Sequence, residues 1–151
     1  VTMSNQDEVG GEPVGTLRIE HGEHRAARIE AGDVPALIDE LPVLAARAAL
    51  GGRLEVTGAG ELRVKESDRI SALVAGFRTL GVQAQELPDG FIIESGARPH
   101  GGTVDAAGDH RLVMAFALVG LGSTGPTTIT GAEAVAVSYP TFEADLATLR
   151  G

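Results

Sequence analysis

A four-residue step occurs twice in this chain, about half its length apart: Val56-Thr57-Gly58-Ala59 and Ile129-Thr130-Gly131-Ala132. The match extends in both directions. Ahead of each copy lies an apolar stretch of helical character (residues 42–50 and 111–121), then a glycine-containing break, then a short β-branched strand. Behind each comes a segment that reads as extended and ends near a serine, followed by an amphipathic helix closing on Leu and Gly (residues 67–81 and 138–151). Two copies are too few for a solenoid, which needs about three units to bury a continuous core. The chain is therefore expected to be a duplicated α/β (α+β) unit, with copies at about residues 15–95 and 96–151.

Period and punctuation place the elements. Ile70, Leu73, Val74 and Phe77 recur at helical spacing, with Ser67 a fitting N-cap and Gly81 a fitting stop. Phe142, Leu146 and Leu149 give the last helix the same stripe, and Pro140 can begin it. Leu87-Pro88-Asp89-Gly90 is turn chemistry, so a hairpin is expected between Val82 and Glu94. Residues 1–14, polar and rich in glycine, read as a flexible tail or linker remnant ahead of a strand at residues 15–20.

Composition narrows the partners. Twelve Lys and Arg stand against twenty-one Asp and Glu, a net charge of −9. That balance argues against nucleic acid or an anionic membrane as a partner, so any anion site must be local. Four Phe, one Tyr and no Trp leave little with which to stack on bases. The absence of cysteine excludes disulfide and thiolate chemistry and fits a cytoplasmic setting. The longest apolar run, residues 112–121, is the size of a buried helix rather than a membrane span.

Candidate chemistry gathers at helix starts, where unpaired N–H groups and the positive end of the helix dipole attract anions. Pro42 lacks an N–H and disfavours helical geometry at Leu41, so a helix is expected to open at Pro42, with Asp39 just ahead of it. Lys65 and Glu66 precede the next helix and Arg69 lies in its first turn. His110 and Arg111 open the third, after Gly108. Each has a plainer reading: Asp39 as a stabiliser of its helix, residues 65–69 as a solvent-facing ion-pair cluster, and His110 as a histidine satisfied by backbone. His21, His24 and His100 lack metal-ligand spacing and read as surface residues.

Taken together, Leu62-Arg63-Val64-Lys65-Glu66-Ser67-Asp68-Arg69-Ile70, the upstream Ile38-Asp39-Glu40-Leu41-Pro42 and the downstream Gly108-Asp109-His110-Arg111 resemble the 5-enolpyruvylshikimate-3-phosphate synthase (3-phosphoshikimate 1-carboxyvinyltransferase) family. Residues 136–149 (AVSYPTFEADLATL) resemble its C-terminal segment, and the likeness runs over residues 11–151. It implies an inside-out α/β barrel of repeated βαβαββ units, about two of them present. The missing N-terminal part of the enzyme is then expected as a partner, and the isolated chain is expected to lack full activity.

The reaction so implied moves the enolpyruvyl group of phosphoenolpyruvate to the 5-hydroxyl of shikimate 3-phosphate and releases phosphate, in aromatic amino acid biosynthesis, with no metal and no cofactor. The resemblance implies Asp39 as proton acceptor from the attacking hydroxyl and Lys65 as a shikimate 3-phosphate contact able to join proton transfer. It implies Glu66 as the carboxylate that protonates and deprotonates the methylene, Arg69 and Arg111 as phosphoenolpyruvate-binding arginines, and His110 as the adjoining catalytic histidine. Val137 stands where some members carry a basic residue, and Glu61 where some carry an amide. The alternatives are a relative acting on UDP-N-acetylglucosamine, which fits the KESDR and DHR runs less well, and a non-catalytic α/β fragment binding phosphate or a partner chain.

Overall fold

The computed structural model describes residues 2–20, 22–94 and 96–149; the expectation for His21 lies outside them, as does the helix end expected at Gly151. The first difference from the sequence reading comes at the start. In place of a tail, Thr2–Val9 (β1) and Glu12–Arg18 (β2) pair antiparallel, from Thr2 opposite Arg18 to Val9 opposite Glu12. The turn is Gly10-Gly11, both at positive φ (64° and 87°), the backbone that glycine adopts most readily. Every residue of this hairpin is exposed, as a polar segment can be while its backbone is paired.

The first repeat copy runs through Ala27–Ile29 (β3), Val34–Leu37 (α1), Leu41–Ala49 (α2), Leu54–Val56 (β4), a 3₁₀ helix at Gly60–Val64, Arg69–Thr79 (α3), Ala84–Leu87 (β5) and Gly90–Ile93 (β6). The second runs through Gly102–Asp105 (β7), His110–Gly122 (α4), Thr127–Thr130 (β8), a 3₁₀ helix at Ala132–Val137 and Phe142–Leu149 (α5). In each copy the opening strand lies parallel to the strand after its helix: Ile29 pairs with Val56, and Val104 with Ile129. The segments read as extended are 3₁₀ turns in both copies. They are too short for a hydrophobic period to identify them.

The two Thr-Gly-Ala steps share a backbone. Gly58 has φ +75° and Gly131 φ +73°, a left-handed conformation costly for any residue with a Cβ, and each reverses the chain from strand into 3₁₀ turn. Duplication is thus preserved in conformation as well as in sequence.

In the four-stranded sheet, ordered β3-β4-β6-β5, the expected hairpin β5–β6 adds antiparallel to the parallel pair. Its inner face carries Ile29, Leu54, Val56, Phe91 and Ile93, and its outer face an ion-pair ladder joining Arg28, Arg53, Glu55 and Glu94. Alternation of this kind puts the helices inside and charge outside. There α2 and α3 both pack on α4. Ala45, Ala46, Ala48 and Ala49 give α2 a small-residue face, and Phe77 of α3 meets Phe116 of α4 edge-on at 5.8 Å. Each such fully buried ring or Leu contributes about 1.5–3 kcal/mol of burial energy. The close helix packing sets the three helix starts near one another. No helix among the described residues is long and apolar enough to cross a membrane.

Candidate active site

The start of α2 differs by one residue from the sequence reading, since Leu41 opens it and Pro42 follows. Its N-cap position is Glu40, whose side chain makes no capping bond. Asp39, in the turn between α1 and α2, is not a cap either. Its carboxylate faces two arginines: Oδ1 lies 3.4 Å from Arg69 Nη1 and Oδ2 lies 3.2 Å from Arg111 Nη2. Its backbone carbonyl accepts from Arg111 Nη1 at 2.7 Å.

Asp68, not Ser67, caps α3, its side chain accepting from Ser71 N at 3.1 Å. The charged run therefore splits into two halves. Arg63 and Asp68 face outward, and Arg63 pairs with both Asp68 and Glu86, the solvent-side cluster of the plainer reading. Burial works to raise the Asp68 carboxyl, but the Ser71 N–H and the Arg63 guanidinium outweigh it and leave it below its ordinary value. Arg69 turns inward. It is 1% exposed, and heads the fully buried side chains in volume. All its guanidinium nitrogens are engaged: Nε donates to Asp109 Oδ2 at 2.7 Å, Nη1 to Asp39, and Nη2 makes a close ion pair with Glu66.

Asp109 was not singled out from the sequence. It is fully buried and caps α4, accepting from Arg111 N at 2.9 Å and Leu112 N at 3.4 Å through Oδ1. Its other oxygen takes Arg69 Nε and the Ser67 hydroxyl, the latter at 3.3 Å. An aspartate directly before a helix was the available signal, and it pointed to a cap but not to the pairing with Arg69.

Lys65 lies at the end of the first 3₁₀ helix and pairs with Glu61 at 2.6 Å. The hydrogen bond it donates to Glu61 holds its ammonium above the ordinary value, against the pull of burial; the Asp39 charge adds to the rise and Arg69 opposes it. Glu61 thus turns to the lysine. His110 is the first residue of α4 and half-buried, and its ring takes no part in the Asp39–Arg69–Arg111 network. Val137 is 86% exposed at the end of the second 3₁₀ helix.

The structure therefore brings Asp39, Glu66, Arg69 and Arg111 into one network of helix starts, with Lys65 beside it. Asp39 and Arg111 also border an apolar groove of about 230 Å³ lined by Val43, Met114, Leu118 and Phe142. A larger hollow of about 620 Å³, between the end of α4, β8 and α5, contains none of these charged groups. The chemistry, not the volume, marks the site. Arg111, 29% exposed, can meet a small di-anion directly, and Arg69 can do so where Asp39 or Glu66 gives up its place; those two carboxylates, 43% and 48% exposed, are then placed to exchange protons with it. No group of three or more His, Asp or Glu among the described residues is placed to hold a metal ion.

A family profile described as EPSP synthase (3-phosphoshikimate 1-carboxyvinyltransferase) matches residues 3–146. A 3-phosphoshikimate 1-carboxyvinyltransferase of Carboxydothermus hydrogenoformans is 48% identical over 143 residues, covering 94% of this chain and 33% of its own length. One of Acaryochloris marina is 44% identical over 147 residues, covering 97% and 33%. Among solved structures, EPSP synthase from Acinetobacter baumannii superposes with a TM-score of 0.85 at 39% identity, over 93% of this chain and 34% of that one. The chain thus spans about a third of the length of the relatives it matches.

Proposed function

The chain belongs to the EPSP synthase family, and from that premise we propose that it supplies the C-terminal share of an active site that moves the enolpyruvyl group of phosphoenolpyruvate to the 5-hydroxyl of shikimate 3-phosphate. The observation that carries the reading is the buried Arg69 guanidinium, held between Asp39, Glu66 and Asp109, with Arg111 across Asp39.

In this reading the two arginine forks exchange their carboxylate partners for the carboxylate and phosphate of phosphoenolpyruvate, to which their planar geometry is suited. Asp39, released at the mouth of the site, takes the proton of the 5-hydroxyl as that oxygen bonds to C2 of the enol. Glu66, freed from Arg69 and having taken up a proton from solvent, gives it to the C3 methylene, which completes the addition. Elimination reverses the second transfer: Glu66 removes a C3 proton, the bond from C2 to the phosphate oxygen breaks, and inorganic phosphate leaves with the proton that Asp39 had taken from the hydroxyl. Two carboxylates in different surroundings suit one acceptor and one donor. Lys65 contacts shikimate 3-phosphate and, while paired with Glu61, acts as a charge rather than a base. His110, at the start of α4, stands as the adjoining catalytic histidine.

We take the copies at residues 15–95 and 96–151 as units of one partial domain, working in the cytoplasm with the N-terminal part of the enzyme as partner. Phosphate release from phosphoenolpyruvate and shikimate 3-phosphate tests this, assayed on the chain alone and on the chain mixed with the remaining two thirds of the Carboxydothermus hydrogenoformans relative. Turnover only in the mixture is expected, because part of a site cannot hold both substrates in register. Robust turnover by the chain alone would contradict the division of labour, and none in either would contradict the function.

A further inference from the structure

The geometry points to Asp109 as a positioning residue that fixes the two substrate-gripping arginines relative to each other. This inference rests on the function proposed above. Its two oxygens do different work. Oδ1 accepts from the backbone N–H groups of Arg111 and Leu112 and so sets where α4 begins; Oδ2 accepts from Arg69 Nε and Ser67 Oγ. One rigid, fully buried carboxylate therefore ties the backbone origin of Arg111 to the guanidinium of Arg69.

The consequence for Arg69 is orientational. A guanidinium is planar, so fixing Nε in a buried hydrogen bond directs the opposite edge, Nη1 and Nη2. That edge is the one that meets Asp39 and Glu66, the two groups assigned to proton transfer. Asp109 touches no substrate in this arrangement. It acts through Arg69, and without it the fork would be held only through Nη1 and Nη2, by the Asp39 and Glu66 contacts that substrate is to replace.

Asp109→Asn separates positioning from folding. An amide has one accepting oxygen; asparagine is as good a cap as aspartate, and with that oxygen capping α4 it turns an NH2 donor, not an acceptor, towards Arg69 Nε. Asp109→Ser is a second cap-competent variant, too short to reach Arg69. In ¹⁵N NMR of the chain, the Arg69 Nε–H signal is expected protected and well shifted in the wild type and at the free-arginine position in both variants. In the complemented enzyme, kcat/KM for phosphoenolpyruvate is expected to fall by at least about 30-fold, mainly through KM, as for the loss of one partner of a buried charge pair. Combining Asp109→Asn with Arg69→Lys should cost little more than the worse single change, because both remove the same contact.

A retained Nε–H signal with KM within twofold of wild type would overturn the proposal. Additive losses in the double variant would too, and so would unfolding of both cap-competent variants, which would make Asp109 a residue of the fold alone. If the wild-type mixture shows no transfer, the proposed function falls and the Arg69 signal, which needs no substrate, decides the positioning role.

Discussion

Arg69 and Asp109, 40 positions apart in the sequence, meet through Nε and Oδ2 at 2.7 Å with both side chains out of solvent. The pair bridges the starts of α3 and α4, one from each repeat copy. Burying two charges is costly, and the pair is tolerated because each leftover polar atom is satisfied, by Glu66 and Asp39 on one side and by Ser67 and two helix N–H groups on the other.

Removing one member should therefore be far more damaging than breaking a surface pair. Arg69→Met is expected to destabilise the chain by about 3–5 kcal/mol in urea unfolding, because Asp109 is left buried and short of its cation. Arg53→Met, which breaks the outward ladder to Glu55 and Glu94, should cost about 1 kcal/mol or less. Equal losses would contradict the burial argument.

The repeated glycines offer a graded test. At Gly131 an added Cβ meets nothing nearer than Gly108 N at 3.6 Å, so Gly131→Ala carries mainly the left-handed backbone penalty of about 1–2 kcal/mol. At Gly58 the same atom falls 2.4 Å from Ala31 Cβ and 2.6 Å from Ala31 Cα. Gly58→Ala should add an overpacking cost of about 1–3 kcal/mol to the same strain. Melting temperatures should rank wild type, then Gly131→Ala, then Gly58→Ala.

Asp68 gives the acid side of stability a defined sign. Its folded carboxyl lies below the ordinary value of 3.8, so its contribution is present in full above that value and is lost as pH falls through the lowered folded value. Asp68→Asn keeps a capping oxygen but does not titrate. The wild type should melt higher than this variant at about pH 6, and the gap should close towards about pH 2. A gap independent of pH would mean that the Arg63 and Ser71 contacts do not favour the carboxylate.

Lys65 runs the other way. Raised above its ordinary 10.5 chiefly by Glu61, it contributes stability below that value, lost as pH rises through the raised one. Glu61→Gln should move the Lys65 titration, followed by ¹³C NMR of its Cε, back towards 10.5. No movement would mean that the Glu61 contact is not held in solution.

Much of this arrangement was legible in the residues. Ile70, Leu73, Val74 and Phe77 are all buried, as their spacing demanded, and Gly81 ends its helix at φ +83°. The Ser67–Asp68 choice was not decidable, because both residues are good caps and only the chain path selected Asp68. Gly10-Gly11 is a turn signal that a reading by polar composition passes over, since an exposed hairpin needs no apolar face. Convergence of Asp39, Glu66, Arg69 and Arg111 could be expected from helix starts and from the family resemblance. The Arg69–Asp109 contact could not, since a buried pair between two repeat copies leaves no local period.

Enolpyruvyl transfer here requires Asp39, Glu66, Arg69 and Arg111 to work as one site. Its most direct test is steady-state phosphate release in the complemented enzyme, measured across phosphoenolpyruvate concentration for Asp39→Asn, Glu66→Gln, Arg69→Lys and Arg111→Lys. The carboxylate variants should lose about 10²-fold or more in kcat with KM little changed, as loss of a proton-transfer group requires, while the arginine variants raise KM. Wild-type kcat in both carboxylate variants, with KM unmoved in both arginine variants, would contradict it.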